Sequence, residues 1–199
     1  KDHIGGADII LDEGIEVQNV IQPNYSRDTK QHKEYVKALE KHDIKPTLLT
    51  SDTVLEVNGA TFIVSAPLRE EYEQSNDYSL ITSLSYKNQS FLFAGDAEAI
   101  RISEFLASNP HAYTLLKVPH HGKYSDNLEE LLQMTTPDYG IITCSEDEYP
   151  DQKVLDLLTK YQVQTLLTSD GPIIIRSDGH QITVNQQLTS TLSLKQKGD

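Results

Sequence analysis

Basic residues are the first scarcity in this chain. Its 199 residues hold 17 lysines and arginines against 30 aspartates and glutamates, a formal net charge of −13 at pH 7. A surface so acidic repels phosphate backbones at long range, and no basic run offsets it, which argues against a protein that coats nucleic acid. It leaves open an enzyme that meets one phosphate in a local metal site. Cysteine is almost missing: Cys144 alone can form neither a disulfide within these residues nor a cysteine-cluster metal site. No apolar run approaches the roughly 20 residues that span a bilayer. No linker rich in Pro, Gly or Ser and no internal repeat divides the chain. With 37% hydrophobic and 24% charged residues, its composition is that of an ordinary globular domain. We therefore expect one domain over residues 1–188 and a polar tail over 189–199. An initiator Met is lacking as well, and Lys1-Asp2-His3-Ile4-Gly5-Gly6 reads as the middle of something.

What is present alternates short apolar runs with amphipathic stretches. Residues 7–12 predict a short helix and 17–22 a strand closed by Pro23-Asn24. Helical spacing over 28–42 places Tyr35, Val36 and Leu39 on one face, with Asp28 or Thr29 as N-cap. Residues 53–57 and 61–65 pair as a hairpin across Asn58-Gly59. Strands at 79–86 and 91–94 follow, then a helix over 98–108 and a strand over 114–118. Asp126 is a candidate cap for a helix over 128–134; a strand at 139–143, a helix at 154–161 and a strand at 164–168 come next. A hairpin across Asp178-Gly179 closes the domain. This mixture predicts an α/β sandwich in which helices cover the outer faces of two packed sheets.

Three clusters put ligand-type residues at element ends: Asp2-His3, Asp96 after the run 91–95, and Pro119-His120-His121-Gly122 after the run 115–118. Loops at strand ends are where α/β proteins place their sites. Two carboxylates and three histidines suit a divalent metal of intermediate hardness, zinc or manganese. Each piece has a bland reading: Asp96 can cap the helix that follows, and a His-His pair in a loop is ordinarily surface.

Taken together, the segments resemble a family. Asp2-His3-Ile4-Gly5-Gly6 resembles the end of the His-x-His-x-Asp-His signature of the metallo-β-lactamase-fold hydrolases, in the variant of ComEC-type competence proteins and their stand-alone relatives. Asn76-Asp77-Tyr78-Ser79-Leu80, Phe91-Leu92-Phe93-Ala94-Gly95-Asp96-Ala97-Glu98 and Leu116-Lys117-Val118-Pro119-His120-His121-Gly122 resemble further segments of that group, in the same order. The resemblance extends to Thr168-Ser169-Asp170-Gly171 and Arg176-Ser177-Asp178-Gly179. It implies an αββα four-layer sandwich whose N-terminal strands, with the first two signature ligands, would precede Lys1.

It also implies two divalent metal ions, with Asp2 and His3 as ligands of the second, Asp96 bridging both, and His121 the preferred last ligand. His120 would be a neighbour facing the leaving group, although the roles of His120 and His121 are interchangeable at this level. The implied reaction is hydrolysis of a phosphoester or phosphodiester by a metal-bound hydroxide, with Asp2 and Asp96 as the catalytic carboxylates. A nuclease acting on DNA, as in DNA uptake, is the first alternative; a truncated or degenerate non-catalytic domain is the second. The partner is accordingly a small phosphorylated substrate or nucleic acid. The cytoplasm is the favoured compartment and the extracellular space the alternative.

The departures matter too. Asn76 and Asp77 stand where many superfamily members have a His ligand, and Lys123 stands where many have Ser. Asn76, Lys123 and Tyr124 are the candidates for substrate contact, while Tyr113 and Tyr149 are further candidates for a pocket mouth. His42, His111 and His180 read as surface, and Cys144 as a packed small residue.

Overall fold

The computed structural model describes residues 3–108 and 111–188. The tail 189–199 lies outside the described residues. The first helix, α1 (Ala7–Asp12), is followed by strand β1 (Ile21–Pro23), helix α2 (Lys30–Lys41) and strand β2 (Thr47–Leu49). A meander of β3 (Thr53–Val57), β4 (Ala60–Ser65), β5 (Ile81–Tyr86) and β6 (Gln89–Phe93) comes next. Helix α3 (Ala99–Ser108) then alternates with β7 (Leu115–Lys117), α4 (Leu128–Thr135), β8 (Tyr139–Ile142), α5 (Gln152–Lys160) and β9 (Gln164–Leu167). The hairpin of β10 (Ile173–Ser177) and β11 (Ile182–Gln186) ends the described chain.

Strands β3 to β9 form one seven-stranded sheet in sequence order. The first four pair antiparallel, through two tight turns and the long 66–80 loop, and the last four parallel, through the crossover helices. Asn58 and Gly59 at φ +50° and +83° join β3 to β4, a two-residue turn whose twist matches the strands it connects.

The two faces of the sheet follow from the period-2 alternation of the strands. Leu92, Leu116, Ile142 and Leu167 face the helices, where Ile102 and Phe105 of α3, Leu131 and Leu132 of α4 and Val154 and Leu158 of α5 bury them. This is the main core, and truncating a central member such as Leu116 to Ala is worth about 2–5 kcal/mol. On the opposite face, Phe91, Leu115 and Ile141 pack under Ile173, Ile175 and Ile182 of the last hairpin. Beside that hairpin lies the parallel pair β1–β2, where Leu49 packs on Val64 of β4. Outermost, α1 and α2 pack through Leu11, Ala38 and Leu39, and Tyr35 Oη donates to Gln22 Oε1 of β1 at 2.8 Å. The layers are therefore helices, large sheet, two small sheets and helices. This is the four-layer α/β arrangement expected from the sequence.

Local expectations met several refinements. Thr29 caps α2, its Oγ1 accepting from His32 N at 3.3 Å. Helix α4 is capped by Asn127 rather than Asp126, with no side-chain cap bond. The strand expected at 17–22 is confined to Ile21–Pro23, because only these residues pair with β2. No helix among the described residues is long and apolar enough to cross a membrane.

Candidate metal centre

Strands β6 and β7 run parallel, so their carboxyl ends open onto the same edge of the sheet. After β6 the chain turns at Gly95, whose φ of +57° favours glycine; a Cβ there would lie 3.2 Å from Ser79 Cβ. The turn delivers Asp96, and its N–H donates to Ser79 Oγ at 3.2 Å. After β7 the chain enters Pro119–Gly122, where His120 and His121 adopt left-handed φ values of +48° and +53°. Two consecutive non-glycine residues in this region store about 1–3 kcal/mol each, strain that concentrates at functional sites. His120 N donates to Gly95 O at 3.1 Å and Lys123 N to His120 O at 2.8 Å, which fixes the two turns against each other. Gly122, at φ +77°, packs so closely under Pro150 that a Cβ would lie 2.5 Å from that ring.

The strained turn points its two histidines apart. His121 meets Asp96 and His3: its Nε2 lies 3.4 Å from Asp96 Oδ1 and 3.2 Å from His3 Nε2. His3, ahead of α1, donates from Nε2 to Asp96 Oδ2 at 2.6 Å. One ligand atom from each of the three lies within 4.8 Å of the others. On the far side of the His121 ring, Nδ1 donates to Thr143 O at 2.7 Å. A carbonyl only accepts, so this bond puts a ring proton on Nδ1, and the ring when neutral turns its Nε2 lone pair toward Asp96 and His3, the arrangement of a histidine that ligates metal.

Asp96 completes the electrostatic picture. Burial pushes its carboxyl up, but the hydrogen bond from His3 and the charges of His3, Lys117 and His121 outweigh this and hold it below the usual carboxylate range. Its Oδ1 is buried with no hydrogen-bond partner among the described residues, although Lys117 Nζ stands 3.7 Å away. A buried, ionised carboxylate oxygen without a donor is costly unless a cation meets it. Donors bound to one zinc-like ion at roughly 2.0–2.2 Å lie roughly 3.3–3.6 Å apart, close to the 3.2 and 3.4 Å separations here. Two imidazoles and a carboxylate thus fit a divalent metal in chemistry, and two of their three separations fit in spacing, the third being the 2.6 Å His3–Asp96 hydrogen bond.

The other candidates from the sequence lie as follows. Asp2 falls outside the described residues. His120 turns away from the trio, with Nδ1 3.5 Å from Glu98 Oε1 and Nε2 3.2 Å from Asn76 Nδ2. Asn76 donates to the same Glu98 Oε1 at 2.9 Å and borders the cavity beside Asp96. Asp77 does something different: 1% exposed, its Oδ1 accepts from Glu98 N and Arg101 N, both at 3.1 Å. It caps α3 from a remote turn, the task Asp96 seemed suited to from sequence. Lys123 reaches Tyr149 O at 3.3 Å and Asp151 at 3.5 Å, and the Tyr124 ring lies under Lys153, so neither lines the cavities that border His3 and Asp96. Tyr113 is a core residue whose hydroxyl bonds Ser83, whereas Tyr149 is exposed. His42, His111 and His180 are exposed, and Cys144 is half-buried against the main core.

Sequence reasoning passed over Thr143, Lys117 and Glu98 as supports of the centre. The position of Thr143 and Lys117 at the ends of β8 and β7, and of Glu98 just ahead of α3, was the available signal. It also passed over the wall contributed by β1 and α2. The cavity beside His3 and Asp96, about 390 Å³, is lined there by Tyr25, Arg27, His32 and Tyr35.

Comparison with known proteins adds two findings. Residues 2–145 match the family model of the Metallo-beta-lactamase superfamily. ComE operon protein 3 of Bacillus subtilis (strain 168) is 27% identical over 178 residues, which cover 87% of this chain and 23% of that protein. The chain thus spans less than a quarter of the length of this relative.

Proposed function

The chain belongs to the metallo-beta-lactamase superfamily, and from that premise we propose that it is a metal-dependent hydrolase that cleaves a phosphoester or phosphodiester. One observation carries this reading: His3, Asp96 and His121, from three separate segments, bring their ligand atoms within 4.8 Å around a buried carboxylate oxygen that lacks a donor. Two divalent ions, zinc before manganese, would supply Lewis acidity, a lowered pKa for water and a clamp on the attacking and leaving oxygens. His3 and His121 hold one position, with Asp2 assigned to the same set. Asp96 would be the residue shared between the two metal positions, which its buried carboxylate is placed to serve. Neutral imidazoles add no negative charge, so the centre keeps its attraction for an anionic ester despite the net charge of −13.

The remaining residues orient. Thr143 holds the His121 ring, and Ser79 and Lys117 hold the Asp96 turn, the lysine through a 3.0 Å bond to Gly95 O. His120, next to His121 in the chain and braced by Glu98 and Asn76, is the residue assigned to the leaving-group oxygen. A DNA nuclease is the second reading, favoured by the likeness to ComE operon protein 3. The acidic surface opposes it, because tight binding to a duplex needs many phosphate contacts from basic side chains.

The test is metal content by plasma mass spectrometry together with turnover of bis-p-nitrophenyl phosphate by the full chain. The expected outcome is uptake of at least about one equivalent of zinc or manganese, the ion that the His3–Asp96–His121 group can hold, with metal binding and turnover both falling sharply in Asp96→Asn. Protein that stays metal-free, or an Asp96→Asn variant with unchanged turnover, refutes the reading.

A further inference from the structure

We propose that the cavity running from Asp96 to α2 selects substrates whose non-reacting group is planar and carries a second anionic substituent, read by Arg27. This rests on the hydrolase reading and names the substrate class of the same centre. The cavity, about 390 Å³, falls within the roughly 300–1,000 Å³ of small-ligand sites.

The walls of the cavity are aromatic and held in place. The Tyr25 ring stacks on Tyr78 at 3.9 Å between centroids and 10° between planes, and Tyr35 is anchored by its bond to Gln22. With Ile21 they form flat apolar surfaces that suit a ring, stacked or edge-on.

The charge of the lining differs from that of the chain. Among the described residues Asp96 is the only acidic side chain that lines it, and that carboxylate is committed to the centre. Arg27 and His32 stand on the opposite wall. The carboxylate next to Arg27 in sequence, Asp28, is taken up by Lys33 at 2.5 Å, and Arg27 itself makes no ion pair among the described residues. In a chain with 30 acidic residues, an arginine left without a carboxylate on a cavity wall is available to a ligand. Its planar fork matches a carboxylate or phosphate. A substrate would place its ester at Asp96, its ring between Tyr25 and Tyr35, and its distal anion at Arg27.

Isothermal titration calorimetry on the zinc-loaded full chain tests this with a matched, non-hydrolysable pair, phenylphosphonate and 4-phosphonobenzoate, which differ only in the distal carboxylate. The wild type is expected to bind 4-phosphonobenzoate at least about tenfold more tightly, the scale of one charge-assisted pair at a partly open site. Arg27→Ala, at an exposed position outside the core, should abolish that preference and leave the phenylphosphonate affinity unchanged. Arg27→Lys should keep part of the preference. Equal affinities in the wild type, or a preference that survives Arg27→Ala, overturn the proposal. If zinc is taken up and neither phosphonate binds, the cavity proposal falls while the metal reading stands; if zinc is not taken up, both fall.

Discussion

Replacing Asp77 with Ala tests the tertiary logic of the site without touching a ligand. Asp77 Oδ1 accepts from the backbone N–H of Glu98 and of Arg101 at 3.1 Å each, at a residue 1% exposed. The alanine variant orphans two amide donors at the start of α3, one of them on the fully buried Arg101. Loss of a helix cap is worth about 1–2 kcal/mol, and an unsatisfied buried donor about 1–3 kcal/mol. Because the two overlap at one bond, the expected loss is about 3 kcal/mol, or about 6–12 °C in Tm for a chain of this size. Asp77→Asn is the informative partner. Burial pushes the Asp77 carboxyl up, as do the nearby Glu98 and Glu104 charges, while the two N–H bonds pull it down; the net direction is upward. The environment thus already opposes the charge, and an amide that keeps the accepting oxygen should cost under about 1 kcal/mol. Differential scanning calorimetry of the three proteins at pH 7 decides the matter. A Tm for Asp77→Ala within a degree of wild type, or an Asp77→Asn variant as damaged as Asp77→Ala, would refute the reasoning.

Two further expectations follow from other parts of the fold. Gly122→Ala combines a left-handed φ of +77° with a Cβ 2.5 Å from the Pro150 ring. A loss of about 3 kcal/mol is expected in a urea titration, together with weaker zinc binding, since His121 is the preceding residue. Asp12 accepts from Lys41 Nζ and His42 Nε2, both at 2.8 Å, tying α1 to α2. These bonds, that from Lys41 first, hold its carboxyl below the usual range. A depressed folded-state pKa stabilises above the unfolded value, near 3.9, and that contribution disappears as the pH falls through the folded value. Asp12→Asn should therefore lower the urea midpoint at pH 7 and converge with wild type at the acid end; a difference independent of pH would count against the ion pairs.

The antiparallel half of the large sheet was legible residue by residue. Asn58-Gly59 announces its turn because few residue pairs adopt two successive positive φ values. The alternation in residues 79–86 and the apolar run 91–94 locate β5 and β6, since side-chain direction in a strand is local. The amphipathic spacing that located α3, α4 and α5 is likewise a property of each segment alone. Ligand-type residues at strand ends were visible for the same reason, and so Asp96 and His121 could be picked out in one dimension.

Long-range contacts decided the rest. Sequence left His120 and His121 interchangeable, and only the left-handed turn held between Gly95 and Pro150 sends one toward Asp96 and the other toward Glu98. Asp77, at a position where many superfamily members have a His ligand, caps a helix 21 residues on, because the capping geometry spans two elements that share no local pattern. Lys123 and Tyr124 were drawn to the site by adjacency along the chain, yet Asp151 and Lys153 from another loop and helix engage them first. The Arg27 wall had no signature at all, since a cavity is made by the approach of β1 and α2 to a turn some 70 residues away. By itself the sequence determined the elements, the scarcity of positive charge and the residue types able to hold a metal, because propensity, turn chemistry and ligand hardness are properties of residues and their neighbours. Which of those residues meet, and which face a cavity, was decided only by the packing of layers, because distance in space is set by the whole fold.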